Sequence, residues 1–369
     1  MARAPGRVVV VGAGIIGTMH AWMARRLGYE VLHLDRDLEA RSASVRNFGL
    51  VWVGGRAAGA ELDLALRSRQ LWGEVAAEVP EVGLRANGSL TVAVTSEEMA
   101  VLEEATALPD AGRRGWELLA PDRARVLNPA LGGTMLAALW CRTDAAVEPR
   151  KAALSIRRRL MESEGYQWHG GRMAMELRDT GVRDQTGVWH DADRVIFCPG
   201  ASDGGLGAEL LVGAPLRRVR LQMMQTAPYP QPVTTSVADG DSLRYYPAYD
   251  VPSRSNLPAQ EEPGASSRMQ LLAVQRLDGS LTIGDTHEYH EPFAFDLQED
   301  VYEELVRRAT SLLGGPLSPI TRRWAGVYSE ATDGSLYFRR QVSEGVVLVT
   351  GPGGRGMTMS AAIAEETFR

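Results

Sequence analysis

The sequence predicts an α/β protein, with a Rossmann-type βαβ unit at its N-terminus followed by strands of a mixed sheet. Three observations carry this expectation. "RVVVVGAGIIGTMHAWMARRLGYEVLHLDRD" sets Gly12, Gly14 and Gly17 between a four-valine strand and a helical pattern, with a second strand closing on Asp35. The regular succession of further βα units then stops. Later segments, "GSLTVAV", "MQLLAVQRL" and "GSLTIGD", run or alternate apolar as strands of one sheet do.

Each part of the N-terminal unit has a physical task. Gly12 permits the tight turn, Gly14 lets a pyrophosphate approach the backbone, and Gly17 lets helix and strand pack closely. The helix start faces the phosphates, and Asp35 is placed to accept hydrogen bonds from a ribose hydroxyl. This fingerprint alone does not separate FAD from NAD. The chain beyond it does, because a nicotinamide dehydrogenase usually continues in βα units.

Here "SASVRNFGLVW" (Ser42 to Trp52) follows, reading like a short strand that carries Arg46 and Asn47 between apolar residues. A helix is expected from Ala60 to Val79 and a strand within Asn87 to Val94. "DADRVIFCPGAS" supplies another apolar strand, ending in Pro-Gly. "GVVLVTGPGGRGMTMSAAIAEE" gives a strand, a turn with Gly351, Gly353, Gly354 and Gly356, and a helix start whose amides suit a ligand. "LQEDVYEELVRRATSLL" predicts a helix. The Pro-, Ser- and Gly-rich stretch from Tyr249 to Arg268 reads as a long loop, disordered or a lid.

Bulk properties exclude several classes. The 369 residues are 44% hydrophobic and 23% charged, as in an ordinary soluble globular protein, and the formal charge of −6 disfavours nucleic-acid binding. Lys151 is the only lysine, so any lysine-dependent step must use it. Cys141 and Cys198 show no metal or redox spacing, which implies a reducing, cytoplasmic setting and no metal site. No apolar run is long enough for a transmembrane helix. The basic residues before the valine run imitate a signal peptide, but the glycine spacing explains that run better. No internal repeat is visible.

With these motifs in place, the whole chain resembles the D-amino-acid oxidase superfamily of FAD-dependent amine oxidoreductases, relatives of glycine and sarcosine oxidases. The resemblance rests on the N-terminal fingerprint with Asp35-Arg36, the "CPGA" strand end and the "GPGGRGMT" loop. It implies two interleaved domains: an FAD domain from 1–85, 145–215 and 322–369, and a mixed-sheet α+β substrate domain from 86–144 and 216–321. The implied cofactor contacts are Gly12, Gly14, Ile15, Ile16, Gly17, Asp35 and Arg36 at the first turn. Ser44, Val45, Arg46 and Asn47 follow, then Met173, Cys198 and Gly200, and finally Gly353, Gly354, Arg355, Gly356 and Met357 over the flavin. "SVRNFGLVW", "SLRYYPAYD", "LDGSLTIGDTHEY" and "RRWAGVYSE" are similar to a branch associated with bacterial phosphonate catabolism. That likeness implies oxidation of 2-aminoethylphosphonate, or its N-methyl derivative, to phosphonoacetaldehyde. Oxidation of glycine, sarcosine or a D-amino acid is the alternative.

Flavin amine oxidation needs a C–H held against the flavin, an anion clamp and an aromatic wall rather than a strong base. Arginine suits the clamp, because its planar fork donates bidentate hydrogen bonds. Among Arg46, Arg244, Arg276, Arg322, Arg323 and Arg355, context favours Arg355 in the glycine loop and Arg46 where the chain enters the site. Tyr246, Tyr249 and Tyr328 join Arg244 as expected substrate contacts. His287 is the expected substrate ligand or proton acceptor, beside Arg46 and Arg355 as catalytic candidates. Two departures from the sarcosine oxidases stand out. No cysteine occurs in "WAGVYSEATDG", so FAD is expected to bind non-covalently. Thr282 stands where those enzymes place the oxygen-activating lysine, which leaves O2 or another electron acceptor open.

Overall fold

The computed structural model describes residues 6–369. The basic start within residues 1–5 lies outside them. Strand β1 (Arg7–Val11), helix α1 (Ile15–Arg26) and strand β2 (Glu30–Asp35) form the expected βαβ unit. β1 and β2 pair in parallel from Arg7↔Glu30 to Val11↔Leu34. They lie inside a six-stranded sheet ordered Phe338–Ser343, Val346–Thr350, Arg194–Phe197, β1, β2, Tyr166–Gly170. All its pairs are parallel except the edge strand Phe338–Ser343. Such a sheet is covered on both faces, so α1 is buried almost throughout, from Ile15 to Ala24.

The second sheet has eight strands, ordered Ile320–Ala331, Leu216–Pro228, Ser280–Gly284, Leu272–Gln275, Ser236–Ala238, Ser89–Ala93, Ala137–Cys141, Trp116–Leu119. Only the pair of Ser236–Ala238 with Ser89–Ala93 is parallel. Helix Glu299–Leu313 lays its apolar face on this sheet through Val301, Tyr302, Leu305, Ala309 and Leu312. Both sheets are stitched from distant chain segments, as interleaving requires. The sequence boundary at 322 falls inside strand Ile320–Ala331, which pairs with Leu216–Pro228 from Thr226↔Ile320 to Leu216↔Ala331. By hydrogen bonding that strand belongs wholly to the eight-stranded sheet.

Two local expectations change. Ser42 to Trp52 is not a single strand: Ala43–Val45 forms a 3-10 turn, and only Leu50–Val51 (β3) is extended, pairing with Ala145–Ala146. The side chain of Asn47 explains the turn, since Nδ2 donates to the Ala43 carbonyl at 2.8 Å and Oδ1 accepts from the Gly49 amide at 2.7 Å. The stretch from Tyr249 to Arg268 is not a featureless loop. It folds into a 3-10 segment, Pro252–Asn256, and a short helix, Gly264–Ser267. Helix α2 (Ala60–Glu78) matches the expected helix. No helix among the described residues is long and apolar enough to cross a membrane.

Candidate active site

A cavity of about 580 Å³ opens between the C-terminal ends of the parallel strands and the inner face of the eight-stranded sheet. Its volume suits a small-molecule or cofactor site. One end is the start of α1. Gly14 caps that helix without a side-chain bond, and the Ser44 hydroxyl accepts from the Ile15 amide at 2.8 Å. The next helix amides, Ile16 and Gly17, are the orphan donors that an anion takes at a helix start. Space there is reserved: a Cβ on Gly17 would sit 1.8 Å from the Gly12 carbonyl, and one on Gly14 3.0 Å from Ser44 Oγ. Gly12, at φ +103°, is pinned inside the turn, its amide donating to the Leu34 carbonyl at 2.8 Å.

A second helix, Gly356–Thr367, also begins on the cavity without a side-chain cap. Its Thr358 hydroxyl accepts from the Trp52 amide at 2.9 Å, fastening β3 to this helix. Two helix starts without side-chain caps meeting at one cavity fit a dinucleotide cofactor.

Of the expected cofactor residues, Gly14, Ile15, Ile16, Gly17, Ser44, Arg46, Asn47, Cys198, Gly200, Gly353, Gly354, Arg355, Gly356 and Met357 line the cavity. Gly12, Asp35, Arg36, Val45 and Met173 do not. Asp35 accepts from the amides of Ala13 (2.5 Å) and Asp37 (2.8 Å), and burial raises its pKa. Met173 and Arg36 are exposed. Burial pushes the Cys198 thiol far up, so it stays protonated as a small apolar wall residue.

On the sheet side, Arg244, Tyr246, His287 and Tyr328 line the cavity. Tyr249 does not: it is 2% exposed, stacks on Trp116 with ring centroids 5.6 Å apart, and belongs to the core. Arg276, Arg322 and Arg323 also lie off the wall. Arg276 is buried against the Val147 carbonyl, and burial lowers its pKa to about 10. His287 stacks on Tyr245 at 4.3 Å, and its Nδ1 lies 3.1 Å from the Arg268 carbonyl. That bond requires Nδ1–H, which leaves Nε2 as the acceptor of a neutral ring. Burial also raises the phenol pKa values of Tyr245 and Tyr328. Their hydroxyls would lie 3.4 and 3.8 Å from a Cβ on Gly354, so both meet the glycine loop. Lys151 is exposed at the start of helix Pro149–Met161, away from the cavity wall.

Sequence reasoning passed over Trp52, Arg56, Glu61, Arg268, Asp285 and Thr358 on this wall. The one local signal was "VWVGGR", a glycine pair that turns the chain just after a strand and presents an arginine.

The electrostatics are lopsided. Five arginines line the cavity: Arg46, Arg56, Arg244, Arg268 and Arg355. Arg244 is paired with Asp241 at 2.9 Å. Arg46 and Arg268 have no carboxylate partner among the described residues, while Arg56 and Arg355 share Glu61, each 3.6 Å from Oε1. Glu330 on the same wall is engaged by Arg217 at 3.1 Å. Asp285 faces Gln270 and His287, and burial raises its pKa.

A parallel nucleotide-binding sheet, a second sheet roofing its ligand end and an arginine-rich cavity between them define a two-domain flavoenzyme architecture. The chain belongs to the DAO family of FAD-dependent oxidoreductases, whose model matches residues 7–369. Its cofactor is accordingly FAD. It is 30% identical over 154 residues to an opine oxidase subunit from Rhizobium meliloti, covering 37% of this chain and 40% of that protein. It is 26% identical over 237 residues to the corresponding opine oxidase subunit from Agrobacterium tumefaciens, covering 59% and 62%. These matches therefore span less than two thirds of either relative. In fold it is similar to glycine oxidase from Geobacillus kaustophilus, with a TM-score of 0.77 at 19% identity over 98% of this chain and 94% of that one.

Proposed function

We propose that this protein oxidises a small aminophosphonate, 2-aminoethylphosphonate or its N-methyl derivative, to phosphonoacetaldehyde and the free amine. The observation that carries the reading is the charge of the wall. Four guanidiniums, those of Arg46, Arg56, Arg268 and Arg355, line the cavity against two carboxyls that no other arginine engages, Glu61 between Arg56 and Arg355 and the buried Asp285. An excess of that size suits a multiply charged anion better than a single carboxylate. Bound FAD supplies the two-electron acceptor for the C–H bond beside nitrogen. The chain's residues do the rest. The arginines hold the anionic end, and Phe48, Leu221 and Met223 give an apolar floor. His287 Nε2 can accept the proton that leaves the substrate ammonium, since the reacting amine must be neutral. Loss of two electrons and two protons, one proton from the C–H bond and one from the N–H bond, converts the neutral amine to an imine, which water hydrolyses to aldehyde and amine.

Because Cys198 is buried and protonated and "WAGVYSEATDG" has no thiol, FAD is held non-covalently in this reading, and acid precipitation should release it intact. Anaerobic mixing of the holoenzyme with equal concentrations of the two aminophosphonates, glycine, sarcosine and a D-amino acid tests the substrate. The aminophosphonates should bleach the flavin absorbance fastest. Equal or faster bleaching by a carboxylate substrate overturns the phosphonate assignment.

A further inference from the structure

We infer that Arg56 is the anchor for the substrate's anionic end and that Glu61 sets its strength, with Arg355 as the second arm of the clamp. The inference rests on the proposed reading only in taking the substrate as an anion. Arg56 is 5% exposed, yet it lines the cavity. Its Nε donates to the Trp52 carbonyl at 2.8 Å and its guanidinium lies over the Tyr246 ring at 5.6 Å, while Nη1 and Nη2 have no hydrogen-bond acceptor among the described residues. A buried guanidinium with both terminal nitrogens unmatched is costly unless a ligand completes it. Glu61, 6% exposed, is equally incomplete. Its Oε2 accepts from the Ala57 amide at 3.2 Å, whereas Oε1 has no hydrogen bond and faces Arg56 and Arg355 at 3.6 Å. Both ion contacts are too long for hydrogen bonds. The two arginines are thus held by Glu61's charge and by their Nε bonds, Arg56 to the Trp52 carbonyl and Arg355 to the Pro352 carbonyl at 3.2 Å, while their terminal Nη donors stay available. Trp52, 2% exposed and on the same wall, adds an Nε1–H without a partner.

The backbone that carries Arg56 is fastened from outside the cavity. Asp144 Oδ1 accepts from the amides of Val53 (2.6 Å) and Gly54 (2.8 Å). The buried Arg114 donates through Nη1 to the carbonyls of Gly54 (2.8 Å) and Arg56 (2.6 Å), and is itself held by Asp110. A turn braced by two buried charged groups is preorganised, which a clamp requires. Arg46 differs. It is exposed and spends Nε and Nη1 on the carbonyls of Arg41 and Ala325, both at 2.9 Å, bracing its own turn against the sheet.

The test uses holoenzyme and three variants, Arg56→Gln, Glu61→Gln and Arg46→Ala, each checked for flavin content and thermal unfolding. Half-saturating concentrations come from anaerobic flavin bleaching with 2-aminoethylphosphonate. Arg56→Gln should raise that concentration about 100-fold, the scale for truncating one member of a buried charge pair, and more than Arg46→Ala does. Glu61→Gln should lower it several-fold, because removing the shared negative charge frees both guanidiniums and ends its repulsion of the ligand. A structural lesion would not tighten binding, so Glu61→Gln decides the matter even if Arg56→Gln loses its flavin. A weaker-binding Glu61→Gln enzyme, or a larger effect of Arg46→Ala than of Arg56→Gln, overturns the inference. If the substrate panel favours a carboxylate instead, the same variants measured with that substrate judge Arg56 separately from the phosphonate assignment.

Discussion

At the residue scale, the site shows how a polar side chain between apolar neighbours can serve architecture. Asn47 uses its amide to close the turn at residues 43–49, which explains its presence without any ligand. Tyr249 makes the complementary point. The cluster "RYYPAYD" places its tyrosines on opposite sides of one bend, so Tyr246 faces the cavity while Tyr249 stacks on Trp116. The Tyr249 hydroxyl has only a 3.4 Å contact with Thr91 Oγ1. Tyr249→Phe should therefore cost less than about 1.5 kcal/mol in denaturant unfolding. It should also leave the half-saturating substrate concentration within about 2-fold of the parent, well inside 1 kcal/mol of binding energy. A rise like that expected for Arg56→Gln would return Tyr249 to the site.

At the element scale, the βαβ unit was the most legible part of the chain, because Gly14 and Gly17 answer first to Ser44 and Gly12, close in sequence, although the space beside Gly12 is closed by the distant Cys198 carbonyl. Its stability also depends on a residue whose role was hidden. His33 on β2 bonds through Nε2 to the Gly12 carbonyl (3.0 Å) and through Nδ1 to the Tyr166 hydroxyl (2.9 Å), tying the glycine turn to the neighbouring strand. Burial lowers its pKa from 6.5 to about 4. Between those values the unfolded chain is protonated at this position and the folded one is not. The contribution is therefore present above pH 6.5 and lost as the pH falls towards 4. Relative to a His33→Asn variant, in which other titrations largely cancel, the parent should lose about 3 kcal/mol more of unfolding free energy across that window. Urea unfolding at pH 6.5 and 4 measures this, and parallel pH profiles would remove His33 from the account.

At the scale of the whole molecule, the cavity exists only where two sheets meet, and Asp144 ties the turn that bears Arg56 to one of them. It is 0% exposed. It accepts from Val53 and Gly54 on the turn that bears Arg56, and from the Ser89 hydroxyl (2.6 Å) on a strand of the eight-stranded sheet. Asp144→Asn keeps the shape but replaces one acceptor oxygen by a donor. It should cost about 2–4 kcal/mol of stability in denaturant titration and raise the half-saturating substrate concentration by displacing Arg56. A destabilised variant with unaltered substrate affinity would separate this brace from the clamp.

Hydropathy period, glycine spacing and the lone acid at the end of β2 are local properties. From them the chain by itself determined its α/β class, its nucleotide-binding unit and the helix at the C-terminal glycine loop. Which of its 39 arginines face the ligand is not a local property. Beyond the glycine pair before it, Arg56 carried no sequence context that set it apart from Arg276, yet Arg276 is buried against a backbone carbonyl and Arg56 opens on the cavity beside Glu61. Only the tertiary structure decided that Arg56 and Glu61 join Arg355 and that Tyr249 leaves the wall. Those outcomes depend on contacts between segments up to three hundred residues apart, whose charges reach their partners only after both sheets have closed around one core.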